Sequence, residues 1–132
     1  MKHALSALAL LGTAMPALAQ TTLTADEFEA HVTGYTITYQ QFIGIFGIEE
    51  YLPNRQVRWS VAENLCRYGS WYPEGDAICF VYESDPTPHC WTFWLEAGTL
   101  RALSVNDLPG AELTAVDRSD TPLACPGPDV GA

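Results

Sequence analysis

Catalysis by a nucleophile needs a base within hydrogen-bond reach. Beyond the first few residues of this 132-residue chain, only His31 and His89 offer an imidazole for that role. Neither stands in a motif. The sequence has no G-x-S-x-G elbow, no H-E-x-x-H and no Gly-rich phosphate loop, and Lys2 is its only lysine. Carboxylates cluster at Glu49-Glu50, at Glu74 with Asp76, and at Glu83 with Asp85. A glycosidase would need two carboxyl groups across a cleft, one with its pKa raised by burial, and no sequence spacing encodes that. A calcium loop would need a D-x-D-x-D-G pattern, which is absent. No catalytic residue is assigned. The rival expectation is a small hydrolase or lyase that uses His31 or His89 with nearby carboxylates.

The cysteines speak for structure. Cys66, Cys79, Cys90 and Cys125 are spaced irregularly with no C-x-x-C, which argues against zinc bound by Cys66, Cys79, Cys90 and His89, and against a redox pair. No metal and no cofactor is expected. An even number of cysteines in a short exported chain reads as a disulfide framework with three possible connectivities. With a hairpin loop at Asp85-Pro-Thr-Pro88, Cys79 and Cys90 fall on adjacent antiparallel strands, where a cross-strand bridge can form. That favours Cys79 with Cys90 and, by elimination, Cys66 with Cys125.

Aromatic residues are the most unusual feature. Tyr51, Trp59, Tyr68, Trp71 and Tyr72 are followed by Phe80, Tyr82, Trp91, Phe93 and Trp94 within less than half of the chain. Alternation places Phe80 with Tyr82 on one strand face, and Trp91 with Phe93 on a face opposite to Trp94. Rings on both faces mean that both are covered or that one is a contact surface. The candidate binding residues are Trp59, Trp71, Tyr82 and Trp94. Their partner would be a small apolar or saccharide ligand, or another protein.

These residues need elements to hold them. Residues 1–19 have the form of a signal peptide: Lys2 and His3, an apolar run from Ala4 to Leu11, and the small-x-small box Ala17-Leu18-Ala19. The run is too short to span a bilayer, and no later segment is longer or more apolar, so no membrane insertion is expected after cleavage. The expected location is periplasmic or secreted. The formal charge is −10 with Lys2 counted. So acidic a surface repels phosphate, which argues against nucleic acid and anionic lipid as partners.

Thr24-Ala-Asp-Glu27 fits a capping box, and Phe28, His31 and Val32 follow at helical spacing before Gly34, predicting a short helix over residues 25–33. From Tyr35 the period changes to two. Phe42 to Ile48 is apolar but broken by Gly44 and Gly47, so a bend, a bulge or a strand would each fit it. Strand-like runs then recur at residues 48–52, 56–62, 66–72, 77–83, 89–95 and 99–105. Pro, Asn, Asp and Gly stand between most of them. Such short connections join antiparallel neighbours. The fold expected is mainly β: an antiparallel meander or small up-and-down barrel of six to seven strands with one short N-terminal helix. Residues 20–120 form the disulfide-stapled domain. The pattern weakens from Leu108, and residues 121–132 read as a Pro/Gly-rich tail.

The succession Glu50-Tyr-Leu-Pro-Asn54, Gly69-Ser-Trp71, Ile78-Cys-Phe80-Val-Tyr82 and Cys90-Trp91 resembles uncharacterised exported proteobacterial domains. In those, a Y-x-P-(D/N) turn precedes G-x-W, C-F and C-(W/F) strands. Covering roughly residues 47–101, the resemblance implies a β-meander with Cys79 paired to Cys90 and no assigned activity. It does not place Cys66 or Cys125.

Overall fold

The computed structural model describes residues 12–13, 20–62 and 65–125. The Ala4 to Leu11 run, the Ala17-Leu18-Ala19 box and residues 126–132 lie outside that set.

Thr24 caps the helix α1, Ala25–Val32: its side chain accepts from the Glu27 N–H while Glu27 reaches back to the Thr24 backbone. Gly34, at φ 87°, takes the left-handed conformation that ends the helix and frees the chain to enter a strand. Eight strands follow: β1 (Thr36–Gln41), β2 (Gly44–Tyr51), β3 (Gln56–Ala62), β4 (Leu65–Glu74), β5 (Ala77–Tyr82), β6 (Asp85–Glu96), β7 (Thr99–Ser104) and β8 (Leu113–Ser119). Each pairs antiparallel with the next, and β8 returns to pair with β1, closing the barrel. Closure removes the free edges an open sheet would expose.

The mainly β, antiparallel, one-helix architecture stands as read from the sequence, but the strand count is corrected from six or seven to eight. The strand not foreseen, β8, lies where the alternation fades. Its Leu113 packs inward, but Val116 is about half exposed, so burial alternates too weakly to signal a strand. The residues Asp85 to Pro88 belong to β6 rather than to a turn. The reversal occurs at Glu83 and Ser84, and β6 bulges between its pairs Tyr82↔Asp85 and Phe80↔His89. Pro86 and Pro88 are tolerated there because a bulge releases residues from the ladder. The apolar stretch from Phe42 to Ile48 splits into a tight turn and the start of β2, with a second bulge opposite Tyr39 and Gln40.

The helix plugs one end of the barrel. Phe28 and Val32 are fully buried, and the Phe28 ring lies 5.1 Å from Trp71, 4.5 Å from Phe93 and 5.7 Å from Tyr51 between centroids. Arg55 stacks over the outer part of this layer, 4.6 Å from the Trp71 ring centre, and pairs with Glu29 of the helix. At the opposite end, where β1 turns to β2, β3 to β4, β5 to β6 and β7 to β8, no helix among the described residues covers the interior. Apolar side chains there face solvent, among them Phe42, Ile43, Val61, Leu65 and Leu108.

Two disulfides complete the frame. Cys79 faces Cys90 directly across the β5–β6 ladder, and Cys66 on β4 holds Cys125 of the C-terminal segment. Both are the pairs favoured by the sequence reading. The second brings Leu123 across the outer wall, where its N–H donates to Glu50, a buried carboxylate also held by Arg58.

Candidate functional site

The uncapped end opens on an internal cavity of about 260 Å³. Its walls follow from period-two alternation on each strand. Inward positions supply Tyr39 from β1, Glu49 and Tyr51 from β2, Trp59 from β3, Phe80 and Tyr82 from β5, Trp91 and Phe93 from β6, and Leu113 from β8. The bulge opposite Tyr39 and Gln40 turns Phe46 inward as well. Its ring lies 5.7 Å from Trp59 and 5.6 Å from Trp91, so three aromatic rings line one part of the wall. The Trp59 indole leans over Gly47, the residue whose missing side chain leaves room for it.

Polar groups meet inside this apolar shell. The Tyr39 and Tyr51 hydroxyls share a hydrogen bond of 2.7 Å, and Tyr82 donates to Oε1 of Glu49 at 2.8 Å. Glu49 is 2 % exposed, and its Oε2 is covered and has no hydrogen-bond partner among the described residues. Burial pushes the Glu49 carboxyl well above the ordinary carboxylate range, the Tyr82 hydrogen bond opposing only part of that shift. Burial also raises Tyr39, Tyr51 and Tyr82 above the ordinary phenol range, with the nearby Glu49 adding to each. Burial thus favours the neutral form of all four groups; Tyr82 donates to Glu49, and one of the two phenol hydrogens of Tyr39 and Tyr51 lies in the bond they share.

At the mouth stand Val61, Arg67, Asp85 and His89. The β6 bulge sets the last two: Asp85 accepts from the Thr87 N–H at 3.0 Å and lies 3.0 Å from Nε2 of His89. The Thr87 backbone first, then His89, holds Asp85 below the ordinary carboxylate range.

The candidates named from sequence are divided by the fold. Trp59 and Tyr82 line the cavity together. Trp71 belongs to the plugged end, under Phe28 and Arg55, and Trp94 faces outward from β6, nearly buried, opposite to Phe93. His31 is remote from the cavity. It sits in the last helical turn, where burial and then Arg118 hold it below its ordinary pKa, and Arg118 is the cation that donates to the His31 carbonyl. The grouping of Glu74 with Cys79 and Cys90 is a carboxylate beside a disulfide, whose sulfurs are already bonded to each other.

Glu49 was missed, although a signal for it exists. Adjacent strand residues point to opposite faces, so in a closed barrel one of Glu49 and Glu50 must point inward. The sequence reading names them only as one acidic pair among three. Tyr39, Tyr51, Phe46 and Trp91 join the site only through ring closure, which brings β1 and β2 opposite β5 and β6.

The fold and site define a small closed β-barrel, plugged at one end and open at the other to an aromatic cavity with a buried carboxyl. Comparison with known families, curated proteins and solved structures gives no match.

Proposed function

We propose that this protein is a binding module of an oxidising, extracytoplasmic compartment, and that the barrel cavity holds a small, largely apolar ligand. One observation carries the reading: the barrel interior is filled by Phe28 and its neighbours at one end and left open at the other, between Phe46, Trp59, Trp91 and Tyr82. A domain that needed only a core would gain by filling that space, since empty volume forfeits packing contacts. The two disulfides fit an oxidising location. The likeness to exported β-meander domains fits the same picture.

The test is titration with the neutral fluorophore N-phenyl-1-naphthylamine, whose emission rises in apolar surroundings. The expected result is saturable enhancement, weakened about tenfold or more by Trp91→Ala and unchanged by Trp94→Ala, whose ring lies outside the barrel. Absence of saturable enhancement, or equal loss in both variants, overturns the reading.

A second reading rests on the His89–Asp85 pair at the cavity mouth, an imidazole oriented by a carboxylate as a hydrolase or lyase base would be. It requires His89→Ala to abolish turnover of a small ester or related substrate while leaving fluorophore binding intact.

A further inference from the structure

Taking the cavity as a ligand site, as proposed above, we infer that its ligand is a neutral, largely apolar molecule carrying a hydrogen-bond acceptor, such as a carbonyl oxygen, that receives the free hydrogen of the Glu49 carboxyl.

A carboxylic acid offers one acceptor oxygen and one O–H donor. In Glu49 the acceptor is used: Oε1 takes the Tyr82 hydrogen at 2.8 Å. Oε2 is buried without a partner, and Glu49 is part of the cavity wall. A buried polar atom left unpaired is costly, and a ligand that completes it regains what folding gave up. Tyr39 and Tyr51 share one hydrogen bond, which engages one of their two phenol hydrogens and leaves the other as a second donor in the cavity wall.

The groups facing Glu49 decide the ligand's charge. From β1 and β2 these are Tyr39 and Tyr51, and from β5 Tyr82, all neutral phenols. From β4 Arg67, and from β6 Asp85 and His89, stand at the mouth. β3 brings Trp59, β8 brings Leu113, and neither titrates. Among the described residues no cation pairs with Glu49: Arg58 is engaged with Glu50 on the outer face, and Arg67 stands at the mouth. An amine ligand would have to pass Arg67 and then form an ion pair in a desolvated site, where the loss of hydration for two charges opposes the gain. A saccharide would bring several hydroxyls to an inner wall that offers only the Glu49 Oε2 and one phenol hydrogen, and burying the others unpaired is unfavourable. A compact aromatic or alicyclic ketone, ester or lactone meets both the rings and the carboxyl.

The experiment is calorimetric titration of the disulfide-bonded protein with three molecules of matched shape: 2-acetylnaphthalene, 2-ethylnaphthalene and 1-(2-naphthyl)ethylamine. The ketone is expected to bind about tenfold tighter than the hydrocarbon, the effect of one hydrogen bond. Glu49→Gln, whose amide keeps a neutral donor, retains that preference, and Glu49→Leu removes it. Raising the pH weakens ketone binding in the parent protein but not in Glu49→Gln. A preference for the amine that Glu49→Gln abolishes, or equal affinity for ketone and hydrocarbon, overturns the inference. If the naphthalenes fail while N-phenyl-1-naphthylamine binds, the inference falls and the binding reading stands. If nothing binds, both fall.

Discussion

Gly47 lies so close beneath Trp59 that a Cβ placed on it would stand 2.1 Å from Cζ2 of the indole. No side chain fits between the two, so the glycine sets the angle at which the ring enters the barrel. Gly47→Ala is expected to displace Trp59 and destabilise the fold by about 1–3 kcal/mol, the usual penalty for overpacking. Combined with Trp59→Ala, the loss should be well below the sum of the two single losses, because the clash is gone. A double-mutant cycle read by chemical denaturation checks this, and simple additivity would refute it.

Glu49 makes stability depend on pH in an unusual direction. Its carboxyl is held protonated by the folded state and ionises near the ordinary value of 4.5 when the chain unfolds. The stabilisation is therefore fully present below about pH 4.5 and is lost as pH rises toward the raised folded value. Within that interval the loss is about 1.4 kcal/mol per pH unit. Glu49→Gln lacks the titration. The difference in melting temperature between Glu49→Gln and the parent should grow as pH rises above 4.5 and be least below it. A difference constant with pH would show that Glu49 is already ionised in the fold.

The helix plug has its own signature. Phe28 touches rings from β2, β4, β5 and β6, and Phe28→Ala should cost about 3–5 kcal/mol, as for other fully buried aromatic residues. Equilibrium unfolding in urea measures it. A loss below 1 kcal/mol would mean that the barrel is stable without the plug.

Removing the two disulfides separately should give unequal effects. On the loop-entropy model, Cys66 with Cys125, separated by 59 residues, contributes about 4 kcal/mol. Cys79 with Cys90, separated by 11, contributes about 3 kcal/mol. Paired serine substitutions test the order by denaturation. Hydrogen exchange at Leu123 should quicken in Cys66→Ser/Cys125→Ser, because its bond to Glu50 depends on the strap.

Much of this frame was legible in the chain. The capping box of Thr24 and Glu27 fixes where the helix begins, and the alternation of Ile37 and Tyr39 against Thr36 and Thr38 marks the first strand. Cys79 and Cys90 could be assigned to neighbouring strands of one hairpin, but their register is set by the β6 bulge, which the sequence did not show. What escaped was set by ring closure. β8 depends on β1 for most of its partners, and an element whose stability comes from a distant strand carries a weak local pattern. Likewise the site could not be read as a site, since Glu49 and Tyr82 are 33 residues apart and meet only across the lumen. Trp71 and Trp94 were chosen by residue type, which does not separate a floor ring or an outward ring from a cavity wall.

The two bridges are nested, one pair inside the other, and this has a consequence for biogenesis. A chain oxidised consecutively as it emerges would join Cys66 to Cys79 and leave Cys90 for Cys125. In the finished barrel Cys79 stands opposite Tyr72, six positions from Cys66 and so about 20 Å away along β4, and that first bond has to be exchanged. Consecutive oxidation would therefore call for thiol shuffling, whereas oxidation after β5 and β6 have paired joins Cys79 to Cys90 directly and leaves Cys66 for Cys125.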